Sequence, residues 1–210
     1  NGSNWTISWK YIYAYDTNNN IIKELKQTWN GSNWVNSVQT IFIYDENNTM
    51  IEELNQEWSG SEWLNNLKQT YTYDSTNYKI EELWQNWDGS NWINYLTLGF
   101  TYDANNNLIE SIWQIWEDYN WVNYRKYTYS YNVNNIKTET IYFAWWATVW
   151  IKDTRWIYTY DANNNKIEER TQDWNGGYWL DLNRSIYSYI ITEVNEITSE
   201  INNYSLSQNY

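Results

Sequence analysis

Alternate positions between Trp63 and Tyr73 sort into two sets, Trp63, Asn65, Leu67, Gln69, Tyr71 and Tyr73 against Leu64, Asn66, Lys68, Thr70 and Thr72, with all the rings in the first. Successive strand residues face opposite ways, so the pattern predicts a β-strand with one aromatic face. Trp34 to Tyr44 reads the same way, rich in β-branched and aromatic types with no Gly or Pro. Asp45-Glu46-Asn47-Asn48-Thr49 is a turn, Met50 to Trp58 a second strand, and Ser59-Gly60-Ser61-Glu62 turns the chain back. If Trp58 and Trp63 sit opposite each other, Gln56, Leu54 and Glu52 share their face, and Ile51 and Glu53 point the other way. Helix is the rival reading for Ile80 to Trp87, where Glu, Leu and Gln are good helix formers. The stretch between turn signals is short for a helix, and its β-branched and aromatic neighbours favour strand.

This hairpin is copied along the chain. The second Trp of each pair falls at 5, 34, 63, 92, 121, 150 and 179, and Tyr15, Tyr44, Tyr73, Tyr102, Tyr131, Tyr160 and Tyr189 keep the same 29-residue period. Such self-similarity marks a repeat architecture in which each unit packs only on its neighbours. The repeats are read as 5–33, 34–62, 63–91, 92–120, 121–149, 150–178 and 179–207, one array whose last member is a degenerate C-terminal cap. The predicted fold is all-β, an elongated antiparallel meander of about 14 strands. A flattened β-solenoid is the alternative. It would stack Glu24, Glu53 and Glu82 about 4.8 Å apart, with Glu169 further along the same column, whereas a meander separates successive members by two strands, where solvent screens the repulsion.

Composition removes many functions. The chain has no His and no Cys, which takes away the usual general base and all thiolate chemistry. A formal net charge of −13 opposes binding to phosphate backbones, so no nucleic-acid partner is expected. No apolar run is long enough for a membrane helix, and no membrane insertion is expected. With 18 Trp and 22 Tyr against 3 Phe, nearly every ring carries a polar group suited to a half-wet surface.

The Tyr-Asp-x-Asn-Asn-Asn-x-Ile segments, as in Tyr102 to Ile109, resemble the Tyr-Asp turn of YD/Rhs-type repeats, with Asn where those usually carry Gly. Combined with the Trp-x-Gly-Ser-x-Trp turn, the unit looks like the tandem aromatic repeats of secreted or surface proteins of Bacteroidetes-type bacteria, although it is longer than a usual YD repeat. The resemblance implies an extracellular or cell-surface β-rich repeat protein, not an activity.

Candidate chemistry is sparse. Asp16 with Asn18, Asp103 with Asn105, and Asp161 with Asn163 echo the opening of calcium loops. No Gly stands at the sixth position and no distal Glu closes the loop, so Asn-rich turns explain them and no cofactor is expected. Glu52/Glu53 and Glu81/Glu82 are adjacent, hence on opposite faces of a strand, which argues against an acid-base pair in one cleft; no enzyme activity is expected. Trp29/Trp34, Trp58/Trp63, Trp87/Trp92, Trp116/Trp121, Trp145/Trp150 and Trp174/Trp179 are read either as clasps across the turn or as platforms for sugar rings. Gln27, Gln56, Gln85, Gln114 and Gln172, with Asn36, Asn65, Asn94 and Asn123, form polar rows beside them. The functional expectation is an extracellular structural protein that self-associates into a fibre or surface appendage, its partner a copy of itself. A carbohydrate-binding adhesin using the Trp platforms, with a polysaccharide as partner, is the alternative.

Overall fold

A computed structural model describes residues 8–191 and 197–204. The turn signature before Trp5 lies outside them, as does part of the expected C-terminal cap. The described chain forms strands and turns, with no helix among the described residues. The strands are β1 (Trp9–Tyr15), β2 (Ile21–Trp29), β3 (Trp34–Tyr44), β4 (Met50–Trp58), β5 (Trp63–Tyr73), β6 (Lys79–Trp87) and β7 (Trp92–Tyr102), followed by β8 (Leu108–Glu117), β9 (Asn120–Tyr131), β10 (Lys137–Trp146), β11 (Val149–Tyr160), β12 (Lys166–Trp174), β13 (Trp179–Ile191) and β14 (Ile197–Tyr204).

Their hydrogen-bonded order is the order of the chain, β1 to β14, and neighbours such as β3 and β4 or β4 and β5 pair antiparallel. The fold is therefore a meander of hairpins. The solenoid alternative is overturned, because stacked coils would place equivalent strands side by side in parallel. The segment Ile80 to Trp87, where helix competed, lies within β6, with Tyr71 opposite Glu82 and Gln69 opposite Trp84 on β5. The chain clusters into two compact units, one holding residues up to Leu98 with Ile115–Trp121, the other holding Gly99–Gln114 and the chain from Val122 onward.

The faces of the strands differ from the sequence pattern in one respect, with a definite cause. Gln56 pairs with Asn65, but Asn55 pairs with Leu67, so Asn66 is an extra residue on β5. A one-residue bulge of this kind inverts the alternation beyond it. Lys68 consequently lies opposite Leu54 on the tryptophan face, while Gln69 lies opposite Glu53 and Tyr71 opposite Glu82 on the other face. The single aromatic face read from alternation is thus corrected: Trp63 and Asn65 occupy one face, Leu67, Gln69, Tyr71 and Tyr73 the other. Ser37 and Leu182 are the equivalent extra residues in the β2–β3 and β12–β13 pairs. A second bulge follows the turns after Tyr15, Tyr44, Tyr73, Tyr131 and Tyr160, at Ile22, Ile51, Ile80, Thr138 and Ile167.

Both turn types depend on left-handed backbone. Asn19, Asn48, Asn77, Asn106, Asn135 and Asn164 hold φ between 59° and 67°, and Asn tolerates that region because its short amide bonds locally. In the tryptophan turns Gly31, Gly60, Gly89 and Gly176 sit at φ of 97° to 101°, which side chains rarely adopt. Where that Gly is missing, the loop changes type: Asp118 and Tyr119, and Ala147 and Thr148, form two-residue turns with both residues at positive φ. Ala and the β-branched Thr are strained there. Replacing Ala147 with Asn and Thr148 with Gly should stabilise the chain by about 1 kcal/mol, read as a higher melting temperature.

Buried apolar side chains are almost lacking. Leu96 at 9% exposure and Leu98 at 8% are the apolar core among the described residues, and no large side chain is fully enclosed. Gln39, Glu82, Thr97, Ser111, Thr140 and Gln172 are also buried, all within strands.

Candidate functional site

The six Trp pairs face each other across their turns. Ring centroids lie 5.5 Å apart for Trp29/Trp34, 5.0 Å for Trp58/Trp63, 5.1 Å for Trp87/Trp92, 4.9 Å for Trp116/Trp121, 4.8 Å for Trp145/Trp150 and 5.1 Å for Trp174/Trp179, all edge to face. That geometry sets the positive edge of one indole against the negative face of the other. The rings are half-buried, with Trp29 the most open of the twelve at 44%.

Next to each clasp the polar rows close on one another. The amides of Gln27, Gln56, Gln85 and Gln114 donate to Asn36, Asn65, Asn94 and Asn123 at 2.8, 2.8, 3.0 and 2.9 Å, and Gln172 donates to Asp181. Phe143 takes the Gln position in the remaining repeat and is covered by Lys126 at 4.8 Å.

Sequence reasoning missed the cations of this face. Lys10, Lys68, Lys126 and Arg155 each lie 24 residues before a second Trp and stack on it, at 4.7 Å over Trp34, 4.9 Å over Trp92, 5.4 Å over Trp150 and 4.7 Å over Trp179. For Lys68 the bulge at Asn66 is what carries it to the tryptophan side, and for Arg155 it is the register shift opposite Tyr142. Arg155 also donates from Nε to Gln172 at 2.9 Å and pairs with Glu139 at 3.3 Å, while Lys126 pairs with Glu110 at 3.7 Å and Arg184 with Glu168 at 2.8 Å. The signal was present as a basic column at the repeat period, but simple alternation assigned it to the wrong side.

The opposite face carries tyrosines interleaved with lysines. Lys137 lies 5.5 Å from the Tyr129 ring and 5.4 Å from Tyr158, and Lys166 lies 5.8 Å from Tyr158 and 4.6 Å from Tyr187. Lys166 also pairs with Glu169 at 2.7 Å, and the Tyr71 hydroxyl donates to Gln69 at 3.1 Å. At the end of each first strand a second tyrosine anchors the sheet: Tyr44, Tyr73, Tyr131, Tyr160 and Tyr189 donate to the carbonyls of Ile21, Met50, Leu108, Lys137 and Lys166 at 2.8 to 3.0 Å.

Burial pushes the phenols of Tyr71, Tyr73, Tyr129, Tyr131 and Tyr160 above their ordinary value. Because the folded state resists ionisation, their contribution is complete below the unfolded value, near 10, and is lost as pH rises through the higher folded values. Thermal melts should therefore hold steady to about pH 9 and fall progressively above about pH 10.

The calcium candidates serve the turns. In Asp16, Asp103 and Asp161 one carboxylate oxygen accepts the backbone N–H groups two and four residues on, at 2.8 to 2.9 Å, and the other accepts the amide of Asn20, Asn107 or Asn165 at 2.9 to 3.0 Å. These bonds hold the three carboxyls below the usual carboxylate range. Asn18, Asn105 and Asn163 each supply the backbone N–H two residues on, and Asn18 also donates its side-chain amide to Asn48 in the next turn at 2.7 Å. Glu52 and Glu53 lie opposite Thr70 and Gln69, hence on different faces.

No family model matches the chain, and no curated protein does. Among solved structures it is similar to a protein of unknown function from Bacteroides fragilis NCTC 9343, at 14% identity and a TM-score of 0.49, over 57% of this chain and 91% of that one. A DUF3836 family protein from Bacteroides vulgatus ATCC 8482 matches at 22% identity and a TM-score of 0.36, over 42% and 91%. The TcdB2–TccC3 protein matches at 10% identity and a TM-score of 0.36, over 93% of this chain and 14% of its own.

Proposed function

We propose that the chain is an extracellular structural repeat protein that self-associates into a fibre or surface appendage. The observation that carries this reading is the near-absence of a core: 42% of residues are hydrophobic, yet Leu96 and Leu98 are the apolar side chains buried among the described residues. Within each unit every strand packs sideways on its neighbours, so rings and aliphatic groups on both faces stay wet. Apolar surface of this extent is a driving force for association, and a copy of the same chain is a partner of matching chemistry. No acid-base site enters the proposal.

Light scattering against concentration, with electron microscopy of the same samples, tests it. Growth into filaments or sheets is expected. A monomer that persists at high concentration overturns the reading.

The adhesin alternative draws on the half-open indoles beside paired Gln and Asn amides. Cations already cover Trp34, Trp92, Trp150, Trp174 and Trp179, which leaves fewer free ring faces than the twelve indoles suggest. Polysaccharide pull-down by the folded protein, abolished by Trp87→Ala with Trp92→Ala in a variant whose circular dichroism shows it still folded, would favour it over the structural reading.

A further inference from the structure

We propose that Arg125, with Tyr124, Tyr127, Tyr142 and Trp113, binds the ring of an acidic sugar, a uronic acid or a close relative, through its carboxylate. Arg125 stands 29, 58 and 87 residues after Leu96, Leu67 and Val38, so the fold accepts an aliphatic residue at its position. A half-buried guanidinium there loses hydration that the earlier repeats never give up. The other cations of the second unit that form ion pairs, Lys126, Arg155, Lys166, Arg170 and Arg184, do so with glutamates. Arg125 has no carboxylate partner among the described residues. Its Nη2 donates to the Tyr124 hydroxyl at 2.9 Å, its guanidinium lies 4.6 Å from the Tyr124 ring, and its Nε is enclosed without a hydrogen-bond partner.

The surroundings suit one kind of ligand. Tyr124 stands 87 and 58 residues after the bulge residues Ser37 and Asn66, and its ring lies against the guanidinium of its neighbour Arg125. Tyr127 and Tyr142 stack at 5.2 Å, and Trp113 leans on Tyr127 at 6.2 Å. Tyr124 is 39% exposed and the other rings are half-buried, so their outer edges reach solvent. Aromatic faces take the C–H face of a pyranose, phenol and indole groups bond its hydroxyls, and a guanidinium fork matches a carboxylate. Asp153, which acts on Tyr142, and the net charge of −13 oppose a long polyanion, so the site fits a single acidic residue.

Calorimetric or NMR titration with methyl β-glucuronide, methyl β-glucoside and sodium acetate tests the assignment. Saturable binding of the glucuronide is expected, with the glucoside and acetate each weaker by at least about tenfold. Arg125→Leu restores the aliphatic residue of the earlier repeats, so it should melt at or above the parent temperature and lose the glucuronide by a similar factor. Arg125→Lys keeps the charge and should also bind more weakly, since it lacks the fork. Glucuronide that does not saturate, acetate or glucoside that binds equally well, or undiminished affinity in both Arg125 variants would each overturn the proposal.

Discussion

Deleting Asn66 should destroy the β4–β5 pairing, with an effect that no substitution at the same position approaches. Asn66 is the residue that has no opposite number between the Gln56–Asn65 and Asn55–Leu67 pairs. Without it the ladder must either break or continue unbulged, and an unbulged ladder swaps the faces of everything after Asn65. Lys68 would leave the face of Leu54, and Tyr71 would leave Glu53 on β4. Asn66→Ala keeps the bulge and removes only the 2.8 Å bond to Glu57, a loss of about 0.5–1.5 kcal/mol. Hydrogen exchange separates the two variants: the deletion should strip protection from β4 to β6, and the alanine variant should retain it. Equal protection in both would mean that the bulge does not set the faces.

The second large effect is expected at one indole clasp. Trp87→Ala with Trp92→Ala removes an edge-to-face pair at 5.1 Å, the half-buried area of two rings and the seat of Lys68. The combined cost is about 2–4 kcal/mol, less than for two fully buried rings because part of each is already in water. Trp92→Ala alone should cost more than Trp87→Ala, since the cation stacks on Trp92. The single losses should exceed the double when summed, by about 0.5–1.5 kcal/mol, the coupling expected of contacting rings. Urea unfolding followed by hydrogen exchange should place the damage in the β6–β7 hairpin and its neighbours, because repeat stability is built from local and nearest-neighbour terms.

The period and the turns explain why so much of the strand pattern was legible. Asn-rich and Gly-containing turns bracket each segment, so Trp34–Tyr44 and Met50–Trp58 are bounded in the structure as the residues imply. The meander over the solenoid followed from glutamate repulsion, a physical cost that the sequence displays openly. Face assignment beyond Asn65 was not legible. Ser37, Asn66 and Leu182 have no chemistry in common, because a bulge residue is selected by its backbone position and not by its side chain. The column Lys10, Lys68, Lys126 and Arg155 held the missing information, since it is useful to the indoles only if the alternation inverts. The Arg125 cluster was hidden for a different reason: it departs from the repeat, and its members come from three strands.

The central claim is that other copies of the chain cover sheet faces that no layer of its own unit covers. Hydroxyl-radical footprinting at stepwise dilution measures this directly, ring by ring. The account predicts slow labelling of Trp58, Trp63, Trp87, Trp92 and Tyr71 at high concentration, rising as the sample is diluted. Rates that stay high and constant across the series, with both faces reactive throughout, would contradict it.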